Sequence, residues 1–493
     1  MPSLELADPS LFIETALIGG TLCPSTSGKT LEVDDPATGS VIGTIPSCDR
    51  SETRAAIDAA AAAFEAWRFR TANDRAAILE RWHDLVIANS HDLARIITAE
   101  QGKPLKEAEG EIHYAASFIR WFAAEGRRIS GRSVPAPQTD RRVLVMKEPI
   151  GVSAAITPWN FPAAMITRKC APALAAGCPV VVKPSELTPY SALALARLAE
   201  RAGFPAGVLN IVTGWPEAIG AELTSNATVR MLSFTGSTRV GALLMRKSAD
   251  TIKRLSLELG GNAPLIVFDD ADIDLAVAGA MARKFRNDGQ TCVCANRILV
   301  QEKVYDAFAA RLGRAVENLT VGLGRLAGST IGPLINMQAV TKVRAHMDDA
   351  LAHGAVVSAM ATVSPDLDAR RFFTPVVLTG ATASMRMARE ETFGPTAPLF
   401  RFRHEADGIA MANATPFGLV SYFYTENHHR AWPVAERLEA GLVALNTGSV
   451  AMEVSPFGGT KQSGLGREGG QEGIEEYLEL KTFHIGGLKF SER

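Results

Sequence analysis

The chain of 493 residues predicts an α/β fold built on a doubly wound, mostly parallel sheet. After Val143, short β-branched runs typical of buried strands appear: "GVSAAIT", "PVVVKP", "GVLNIVTG", "VRMLSFTG" and "APLIVF". Helical patterns such as "SALALARLAERAG" and "PEAIGAELTS" separate these runs. Strands that alternate with helices build parallel sheets covered on both faces. The length allows two or three domains of about 100–200 residues each.

The elements on either side of that region complete the expected organisation. The stretch "SETRAAIDAAAAAFEAWRF" predicts an Ala-rich helix with Ser51 as its N-cap. The patterns "DRAAILERWHDLVIANSHDLARIITAE" and "AASFIRWFAAEGRRISGRSV" continue an all-helical N-terminal part. From Asp269 a second α/β stretch follows: "DIDLAVAGAMARKF" as a helix, "RILVQ" as a strand and "KVYDAFAARLGRAVENLT" as a helix. A late strand in "EYLELKTFHIGG" alternates in a way that suits pairing with another chain.

Composition excludes several classes of protein. The net charge of −2 provides no field that would attract nucleic acid or an acidic membrane. The N-terminus lacks the cationic start of a signal peptide, and every apolar stretch is broken before about 18 residues. Six cysteines in so long a chain do not form a disulfide framework, so we expect a reducing, cytoplasmic compartment. No HExxH or CxxC occurs and the nine histidines are scattered, so no metal site is expected.

Two stretches suggest a nucleotide site. Residues 231–241, "MLSFTGSTRVG", read as a strand, a turn and a helix start, where free backbone N–H groups favour a phosphate. Gly236 and Gly241 do not make the G-x-G-x-x-G fingerprint, so an ordinary strand–helix turn stays equally open. In "VVVKPSEL", Lys183 and Glu186 follow a buried-type strand and can bond ribose hydroxyls. The carboxylate of Glu186 also repels a 2′-phosphate, which favours NAD over NADP.

A third stretch, "GQTCVCAN", contains Cys292 and Cys294. The preceding "RNDGQT" is polar and Gly-rich, which suits an exposed loop. A thiolate that attacks an aldehyde forms a thiohemiacetal, and the thioester left after hydride loss needs a base and an oxyanion donor. Glu258 in "LELGG" and Asn160 in "TPWNFP" can supply these. Taken singly, each residue has an ordinary alternative: a small core thiol, a solvated loop charge, or a turn amide.

Seven motifs in a fixed order resolve these alternatives through a family resemblance. The motifs "TPWNFP", "KPSELTP", "FTGSTRVG", "LELGG", "GQTC", "EETFGP" and "PFGG" resemble those of the aldehyde dehydrogenase superfamily over nearly the whole chain. The resemblance implies that Cys292 is the nucleophile and Glu258 the general base for thioester hydrolysis. It also implies that Asn160 and the backbone N–H of Cys292 form the oxyanion hole.

The resemblance further implies a dinucleotide-binding surface. Lys183 and Glu186 match contacts to the adenosine ribose, and Glu391 and Phe393 match contacts that place the nicotinamide half. The full cofactor-binding set is Thr157, Pro158, Trp159, Lys183, Ser185, Glu186, Phe234, Gly236, Ser237, Leu259, Glu391 and Phe393, of which Phe234, Gly236 and Ser237 match the pyrophosphate turn. NAD is the expected cofactor on account of Glu186, and NADP stays open.

The implied architecture has a Rossmann-type cofactor domain, an α/β catalytic domain and a small β oligomerisation arm. We assign residues 1–130 and 148–259 to the NAD-binding domain and 260–445 to the catalytic domain. Residues 131–147 and 476–493 form the arm. Members of this family are usually dimers or dimers of dimers, so a homodimer or homotetramer is expected.

Within the superfamily, the chain most resembles succinate-semialdehyde dehydrogenases, in "MITRKCAPALAAGC", "KFRNDGQTCVCANR" and "KQSGLGREG". Arg168 and Arg286 match arginines that hold the far carboxylate of the substrate, because Arg gives a charge-assisted, often bidentate contact. Phe457 matches the aromatic wall of the substrate tunnel. One position departs from the pattern: Ala451 stands where a carboxylate-binding Ser is common.

The departure keeps other substrates open. Ser449 and Ser455 lie close to Ala451 in sequence, and Ser455 is the expected substitute for the missing hydroxyl. Glutarate semialdehyde or another short anionic aldehyde therefore remains an alternative to succinic semialdehyde. An acylating, CoA-dependent enzyme is disfavoured by Glu258, and a catalytically inactive structural or binding relative is disfavoured because all three catalytic residues are present.

Cys294 has two interpretations. Some relatives with the same CVC pattern use a disulfide between these thiols as a redox switch, so Cys294 is a candidate redox partner of Cys292. A small buried thiol is the alternative, since two thiols this close in sequence form a relaxed disulfide only if the loop distorts.

Overall fold

The computed structural model describes residues 4–489 of the chain. Its helices, numbered along the chain, are α1 Arg50–Arg68, α2 Ala72–Ala88, α3 Ser90–Gln101, α4 Leu105–Gly126, α5 Ala164–Ala176, α6 Tyr190–Ala202, α7 Pro216–Ser225, α8 Thr238–Ser248, α9 Ile273–Lys284, α10 Tyr305–Glu317, α11 Met337–Ala352, α12 Glu405–Asn413, α13 His428–Arg437 and α14 Glu472–Glu475. Within the described residues, no helix is both long and apolar enough to cross a membrane.

The strands belong to sheets of different size. In chain order they are β1 Ala16–Ile18, β2 Thr21–Cys23, β3 Thr30–Asp34, β4 Val41–Pro46, β5 Arg132–Val134, β6 Arg142–Pro149, β7 Val152–Ile156, β8 Val180–Lys183, β9 Leu209–Ile211, β10 Val229–Thr235, β11 Arg254–Glu258, β12 Ala263–Val267, β13 Ala295–Gln301, β14 Val356–Met360, β15 Val376–Ala381, β16 Thr396–Phe402, β17 Phe417–Gly418, β18 Val420–Tyr424, β19 Leu442–Leu445, β20 Thr460–Lys461, β21 Gly464–Leu465 and β22 Leu478–Ile485.

The first large sheet has the strand order β2-β1-β9-β8-β7-β10-β11-β21. Its central strands, from β9 to β11, are parallel, while β1 pairs antiparallel with β9 and β21 pairs antiparallel with β11. Strands β7 and β8 are buried along their whole length, as expected for a sheet covered on both faces. The predicted doubly wound, mostly parallel sheet is confirmed.

The second large sheet has the order β14-β15-β16-β13-β12-β18-β19, and it is parallel except for the β14–β15 pair. The chain passes from the first sheet to the second between Glu258 and Ala263. The proposed domain boundaries stay a prediction, and β21 shows that the chain later returns to the first sheet.

A third sheet, with the order β22-β6-β5, contains the predicted late strand. Eight residue pairs join β22 to β6. Leu480 and Phe483 on β22 are 65% and 50% exposed, which is a large apolar exposure on an outer strand. The expected pairing with another chain, and the dimer or tetramer it implies, stay a prediction.

The N-cap predicted for α1 is wrong by two residues. The helix begins at Arg50 and its N-cap is Asp49, whose side chain accepts a hydrogen bond from Ser51 N. Glu52 completes a capping box by accepting from Asp49 N at 2.8 Å. Asp is as good an N-cap as Ser, so residue type could not separate two candidates that lie two positions apart.

Helices α1 and α2 are fixed to the first sheet's covering helices by two buried indoles. Trp67 and Trp82 are fully buried, and their Nε1–H groups donate to Leu174 O at 3.2 Å and Leu195 O at 3.0 Å. A buried Trp stabilises by apolar burial only if its N–H finds a partner, and both do. This packing holds α5, whose N-terminal turn lies at the candidate site.

Candidate active site

The candidate site lies where the carboxyl ends of the first sheet's strands meet the segment before β13. Glu258 is the last residue of β11, and Asn160 lies four residues after β7. A Cβ on Gly261 would lie 2.8 Å from Cys292 O, and one on Gly458 would lie 2.9 Å from Glu258 Oε1. The motifs "LELGG", "GQTC" and "PFGG" therefore converge at one place.

The segment before the thiol is buried, so the predicted exposed loop is wrong. Asn287, Asp288 and Gln290 are each at most 1% exposed. Asn287 and Asp288 adopt left-handed φ angles of 49° and 59°, a conformation that costs energy for residues other than glycine. Hydrogen bonds hold it: Asn287 N donates to Glu107 Oε2 at 2.8 Å, and Gly332 N donates to Asp288 Oδ1 at 2.7 Å. Polar composition indicated solvent, but these polar groups are satisfied inside the protein.

Cys292 follows this buried stretch and is itself partly exposed. Burial of the thiol raises the pKa of Cys292 to about 12, the carboxyl of Glu391 adds to that rise, and the charge of Arg168 opposes it. The resting side chain is therefore a thiol at neutral pH, and a base or an added positive charge must favour the thiolate.

Asn160 is 6% exposed and is held from two directions. Its Nδ2 donates to Gln290 O at 2.9 Å, while its backbone O accepts from Lys103 Nζ at 2.7 Å and Asn287 Nδ2 at 3.1 Å. An amide nitrogen carries two hydrogens, so one remains for an oxyanion. The predicted amide is thus fixed against the thiol segment.

A buried ion pair holds Asn160 in that place. Lys103 Nζ donates to Glu111 Oε2 at 2.6 Å, and both side chains are at most 1% exposed. Glu111 Oε1 accepts from Ala163 N at 2.9 Å and Ala164 N at 3.2 Å, at the start of α5. The pair therefore joins α4, the segment of Asn160 and the first turn of α5.

Glu258 is 3% exposed, and neither carboxyl oxygen has a hydrogen-bond partner among residues 4–489. Burial raises the pKa of Glu258 well above its usual range, and the negative charge of Glu468 adds to the rise. Although burial alone would raise it, the charges of Lys169 and Arg168 hold the pKa of Glu468 below the usual range. One buried carboxyl, Glu468, is thus paired with cations, and the other, Glu258, has no partner among the described residues and can accept a proton when it is ionised.

The residues predicted to bind the adenosine half lie together at the strand ends. Lys183 and Glu186 form an ion pair of 2.6 Å next to the end of β8, and Ser185 between them is buried. Ser237 is the N-cap of α8, and it accepts from Val240 N at 3.4 Å. The remaining N–H groups of this helix start can bind a phosphate.

Glycines give this strand–helix turn its shape. A Cβ on Gly236 would clash with the ring of Phe234, and one on Gly241 would clash with Leu259. Both positions need glycine for close approach, so the turn fits a pyrophosphate that the backbone itself contacts. The residues present fit a dinucleotide.

The residues predicted to place the nicotinamide half lie on the opposite wall. Glu391 Oε1 accepts from Gly261 N at 3.1 Å, and burial raises the pKa of Glu391 to about 7. Phe393 has a left-handed φ of 58°, and its ring centroid lies 5.7 Å from that of Trp159. Trp159 directly follows Thr157 and Pro158 in the chain, and the side chain of Thr157 is buried. The "TPWNFP" and "EETFGP" motifs therefore touch.

The predicted substrate arginines each pack against an aromatic ring. Arg168 is 3% exposed, its Nε lies 2.9 Å from Glu468 Oε2, and its guanidinium lies 3.9 Å from the ring centroid of Phe457. Its Nη2 is buried without a hydrogen-bond partner among the described residues. Arg286 is half-buried, with its guanidinium 5.0 Å from the ring centroid of Phe161.

Phe457, the predicted aromatic wall, and Ala451, which stands where a carboxylate-binding Ser is common, lie at one hydrophobic cluster. Phe457 is buried in this cluster, which is built mainly on the second large sheet, and both Cys292 and Ala451 pack partly buried against it. Ser455 is half-buried and Ser449 is exposed, and neither side chain is shown to replace the hydroxyl of such a Ser.

Sequence reasoning missed five residues of this site: Lys103, Glu111, Tyr114, Lys169 and Glu468. Tyr114 has a buried hydroxyl without a partner among the described residues. Burial raises the pKa of Tyr114, the charges of Arg168 and Arg286 oppose that rise, and Cys292 adds to it. One signal was available, since Glu111 occupies the apolar stripe of α4 at the spacing of its buried neighbours.

Cys294 lies behind the thiol segment. It is 4% exposed, and its Sγ accepts a hydrogen bond from Lys284 Nζ at 3.3 Å. Burial raises the pKa of Cys294, and the charge and hydrogen bond of Lys284 oppose that rise. Within residues 4–489, no group of three or more His, Cys, Asp or Glu side chains could hold a metal ion.

A partly exposed thiol, a buried carboxyl and a fixed amide at the edge of a dinucleotide-type sheet define a cysteine-dependent oxidoreductase. The aldehyde dehydrogenase family model matches residues 23–483, so the chain belongs to the aldehyde dehydrogenase family. It is an aldehyde dehydrogenase.

Similar proteins cover the chain almost completely. The glutarate-semialdehyde dehydrogenase of Pseudomonas putida is 57% identical over 482 residues, 98% of this chain and 100% of that protein. The succinate-semialdehyde dehydrogenase GabD of Escherichia coli, whose name specifies NADP(+), is 57% identical over 483 residues, again 98% and 100%. The crystal structure of succinate-semialdehyde dehydrogenase from Burkholderia pseudomallei is 59% identical with a TM-score of 0.96, covering 98% of this chain and 100% of that one.

Proposed function

We propose that this chain oxidises an ω-carboxy aldehyde to the acid, with succinic semialdehyde as the main substrate. The carrying observation is that two buried polar groups without hydrogen-bond partners among the described residues, Arg168 Nη2 and the Tyr114 hydroxyl, belong to side chains that both pack against Phe118. The Arg168 guanidinium lies 5.5 Å from the ring centroid of Phe118, and the Tyr114 ring centroid lies 4.9 Å from it. An aldehyde bound to Cys292 with an anionic far end fits this arrangement, because buried guanidinium groups favour a carboxylate partner.

The chain's own residues account for each step of the reaction. Cys292 Sγ, as the thiolate, attacks the aldehyde carbon, and the resulting oxyanion accepts hydrogen bonds from Asn160 Nδ2 and Cys292 N. A bound NAD(P)+ supplies the hydride acceptor that turns the thiohemiacetal into a thioester. Glu258 then removes a proton from water, the hydroxide adds to the thioester carbon, and the Cys292 thiolate leaves as the acid forms.

Two features support an anionic substrate of more than one length. The similar proteins include both a succinate- and a glutarate-semialdehyde dehydrogenase at the same identity. Ala451 leaves more room and one hydroxyl fewer than Ser would. Glutarate semialdehyde is therefore the second candidate, and Tyr114, with its unpaired hydroxyl, is the group that can bond the carboxylate of either.

The cofactor proposal is a preference for NAD+ over NADP+. Glu186 lies beside the ribose-binding Lys183, and a carboxylate there repels a 2′-phosphate. Because Lys183 partly neutralises Glu186, the preference is expected to be modest. The name of the E. coli relative specifies NADP(+), so both dinucleotides belong in the assay.

Measuring NAD(P)H formation against a panel of aldehydes tests the proposal. Succinic semialdehyde is expected to give the highest kcat/KM, glutarate semialdehyde the next, and a neutral aldehyde of equal length a value lower by at least tenfold, with NAD+ preferred. A neutral aldehyde as good as succinic semialdehyde would remove the anionic-substrate proposal. An absence of NAD(P)H with every aldehyde would favour the inactive binding relative instead.

Replacing Glu258 by Gln is expected to leave acylation and stop deacylation. The variant should form NAD(P)H in a burst of about one equivalent per site, with steady-state turnover lower by roughly 10²- to 10⁴-fold. Because the raised pKa favours the protonated form of Glu258 in acid, wild-type turnover should rise with pH at values above the usual Glu range. Rapid-mixing kinetics at several pH values check this, and an unchanged steady rate in the variant would exclude Glu258 as the base.

Arg286→Ala is expected to raise KM for succinic semialdehyde much more than KM for a neutral aldehyde of similar length. A lost charge-assisted hydrogen bond of about 1.5–3 kcal/mol corresponds to roughly 10- to 150-fold in KM. Arg286→Lys keeps the charge without the planar fork and should lie between the two. Equal KM changes for charged and neutral aldehydes would show that Arg286 does not bind the carboxylate.

Cys294 is proposed as a redox partner of Cys292. Oxidation by hydrogen peroxide would join the two sulfurs and release two waters, and Cys294 must first leave its contact with Lys284. Peroxide should inactivate the wild type, and dithiothreitol should restore it. Cys294→Ala should lose the restorable part, while Cys178→Ala, a buried thiol elsewhere, should keep it. Full recovery in Cys294→Ala would exclude this partner.

A further inference from the structure

Three site motifs meet at a single buried amide that the reaction above does not use. Asn296, on β13, is 1% exposed and lies four residues after Cys292. Its Nδ2 lies 2.6 Å from Asn262 Oδ1, 3.2 Å from Met387 O and 3.1 Å from Glu390 O. Its Oδ1 accepts from Thr392 N at 3.1 Å. Every polar atom of this side chain therefore binds a neighbouring segment.

Each of these partners is close in sequence to a residue of the site. Asn262 lies four residues after Glu258 and next to Gly261, whose N–H donates to Glu391 at 3.1 Å. Glu390 and Thr392 flank Glu391 on either side. Asn296 thus joins β13, the strand that follows Cys292, to the two segments that meet in the Gly261–Glu391 hydrogen bond.

Further hydrogen bonds from Asn262 and His346 hold the segment that contains Glu391. Asn262 Nδ2 donates to Ala388 O at 3.1 Å. His346, fully buried, lies 3.1 Å from Thr392 Oγ1 and 3.2 Å from Glu390 Oε2. Residues 387–392 include no regular strand or α-helix, so these side chains supply the hydrogen bonds that a sheet would otherwise give.

We infer that Asn296 is a positioning residue that sets the distance between the thiol strand and the Glu391 segment. It touches no reacting atom, and it acts through Glu391. An Asn suits the place because one side chain must both donate to carbonyl groups and accept from an N–H. A carboxylate of the same shape would still accept from Thr392 N but would face the three oxygens Asn262 Oδ1, Met387 O and Glu390 O.

Loss of the Asn296 contacts should weaken binding of the dinucleotide and leave binding of the aldehyde unchanged. This step rests on the proposed function, in which Glu391 helps to place the nicotinamide half. If the segment moves away from β13, Glu391 loses its fixed position, while Arg168, Arg286 and Tyr114 keep theirs. The KM and the dissociation constant of NAD+ should therefore rise, and KM for the aldehyde should not.

Asn296→Asp tests the inference. We expect the dissociation constant of NAD+ from calorimetry, and KM for NAD+, to rise about tenfold, the change that ~1.4 kcal/mol produces. The aldehyde KM should stay within about twofold. Alkylation of Cys292 by iodoacetamide without dinucleotide should keep its rate. If the wild type binds dinucleotide but oxidises no aldehyde, the proposed function fails, and the dissociation constants still decide the role of Asn296.

Asn210→Asp is the matched control. Asn210 is also fully buried, donates to Gly207 O at 2.7 Å and accepts from Gly19 N at 2.8 Å, but it lies on β9. It should lower the melting temperature as Asn296→Asp does and leave the NAD+ constants unchanged. Equal NAD+ constants in the two variants, or an aldehyde KM that rises as much as that of NAD+, would overturn the inference.

A second variant keeps the test decisive if Asn296→Asp does not fold. Asn262→Asp keeps an oxygen for Asn296 Nδ2 and loses only the donation to Ala388 O. It should shift the NAD+ constants in the same direction by a smaller factor. Unchanged NAD+ constants in a folded Asn262→Asp protein would likewise overturn the inference.

Discussion

The buried ion pair of Lys103 and Glu111 is the interaction on which the geometry of the site depends. Both charges are out of water, so each is tolerable only because the other is present, and loss of one partner typically costs about 3–5 kcal/mol. Lys103 Nζ also donates to Asn160 O, and Glu111 Oε1 also accepts from Ala163 N at the start of α5. The segment of Asn160, the first turn of α5 and the helix α4 are therefore held together by this pair.

The same α4 helix also reaches the thiol. Glu107, one turn before Glu111, accepts from Asn287 N and so holds the strained left-handed segment before Cys292. Asn160 Nδ2 donates to Gln290 O, so the segment of Asn160 is also bonded to the segment before Cys292. Two carboxyl groups on one face of one helix thus hold both segments that carry the proposed oxyanion donors, which explains why polar residues occupy the buried side of α4.

Sequence predicted the fold, and it singled out the candidate reacting groups that the structure brings together, because both leave local signals. The alternation of strands and helices predicted the sheet, and short motifs pointed to Cys292, Glu258 and Asn160. The burial of Asn287 and Gln290 could not be read in the same way. Their partners, Glu107 and Ile335 N, are far away in sequence, so a polar loop and a buried polar loop have the same composition. The supporting contacts of Asn296 and Lys103 were missed for the same reason.

The charges around the thiol give an electrostatic reason for an anionic substrate that does not depend on any single contact. Burial raises the pKa values of Glu107, Glu258 and Glu391, which disfavours their ionised forms. Two carboxylates, Glu111 and Glu468, remain as partners. The cations Lys103, Arg168, Lys169 and Arg286 lie among these groups, and Arg168 Nη2 has no hydrogen-bond partner among residues 4–489. A carboxylate on the substrate would interact favourably with these cations in a low-dielectric interior, and a neutral aldehyde of the same length would not.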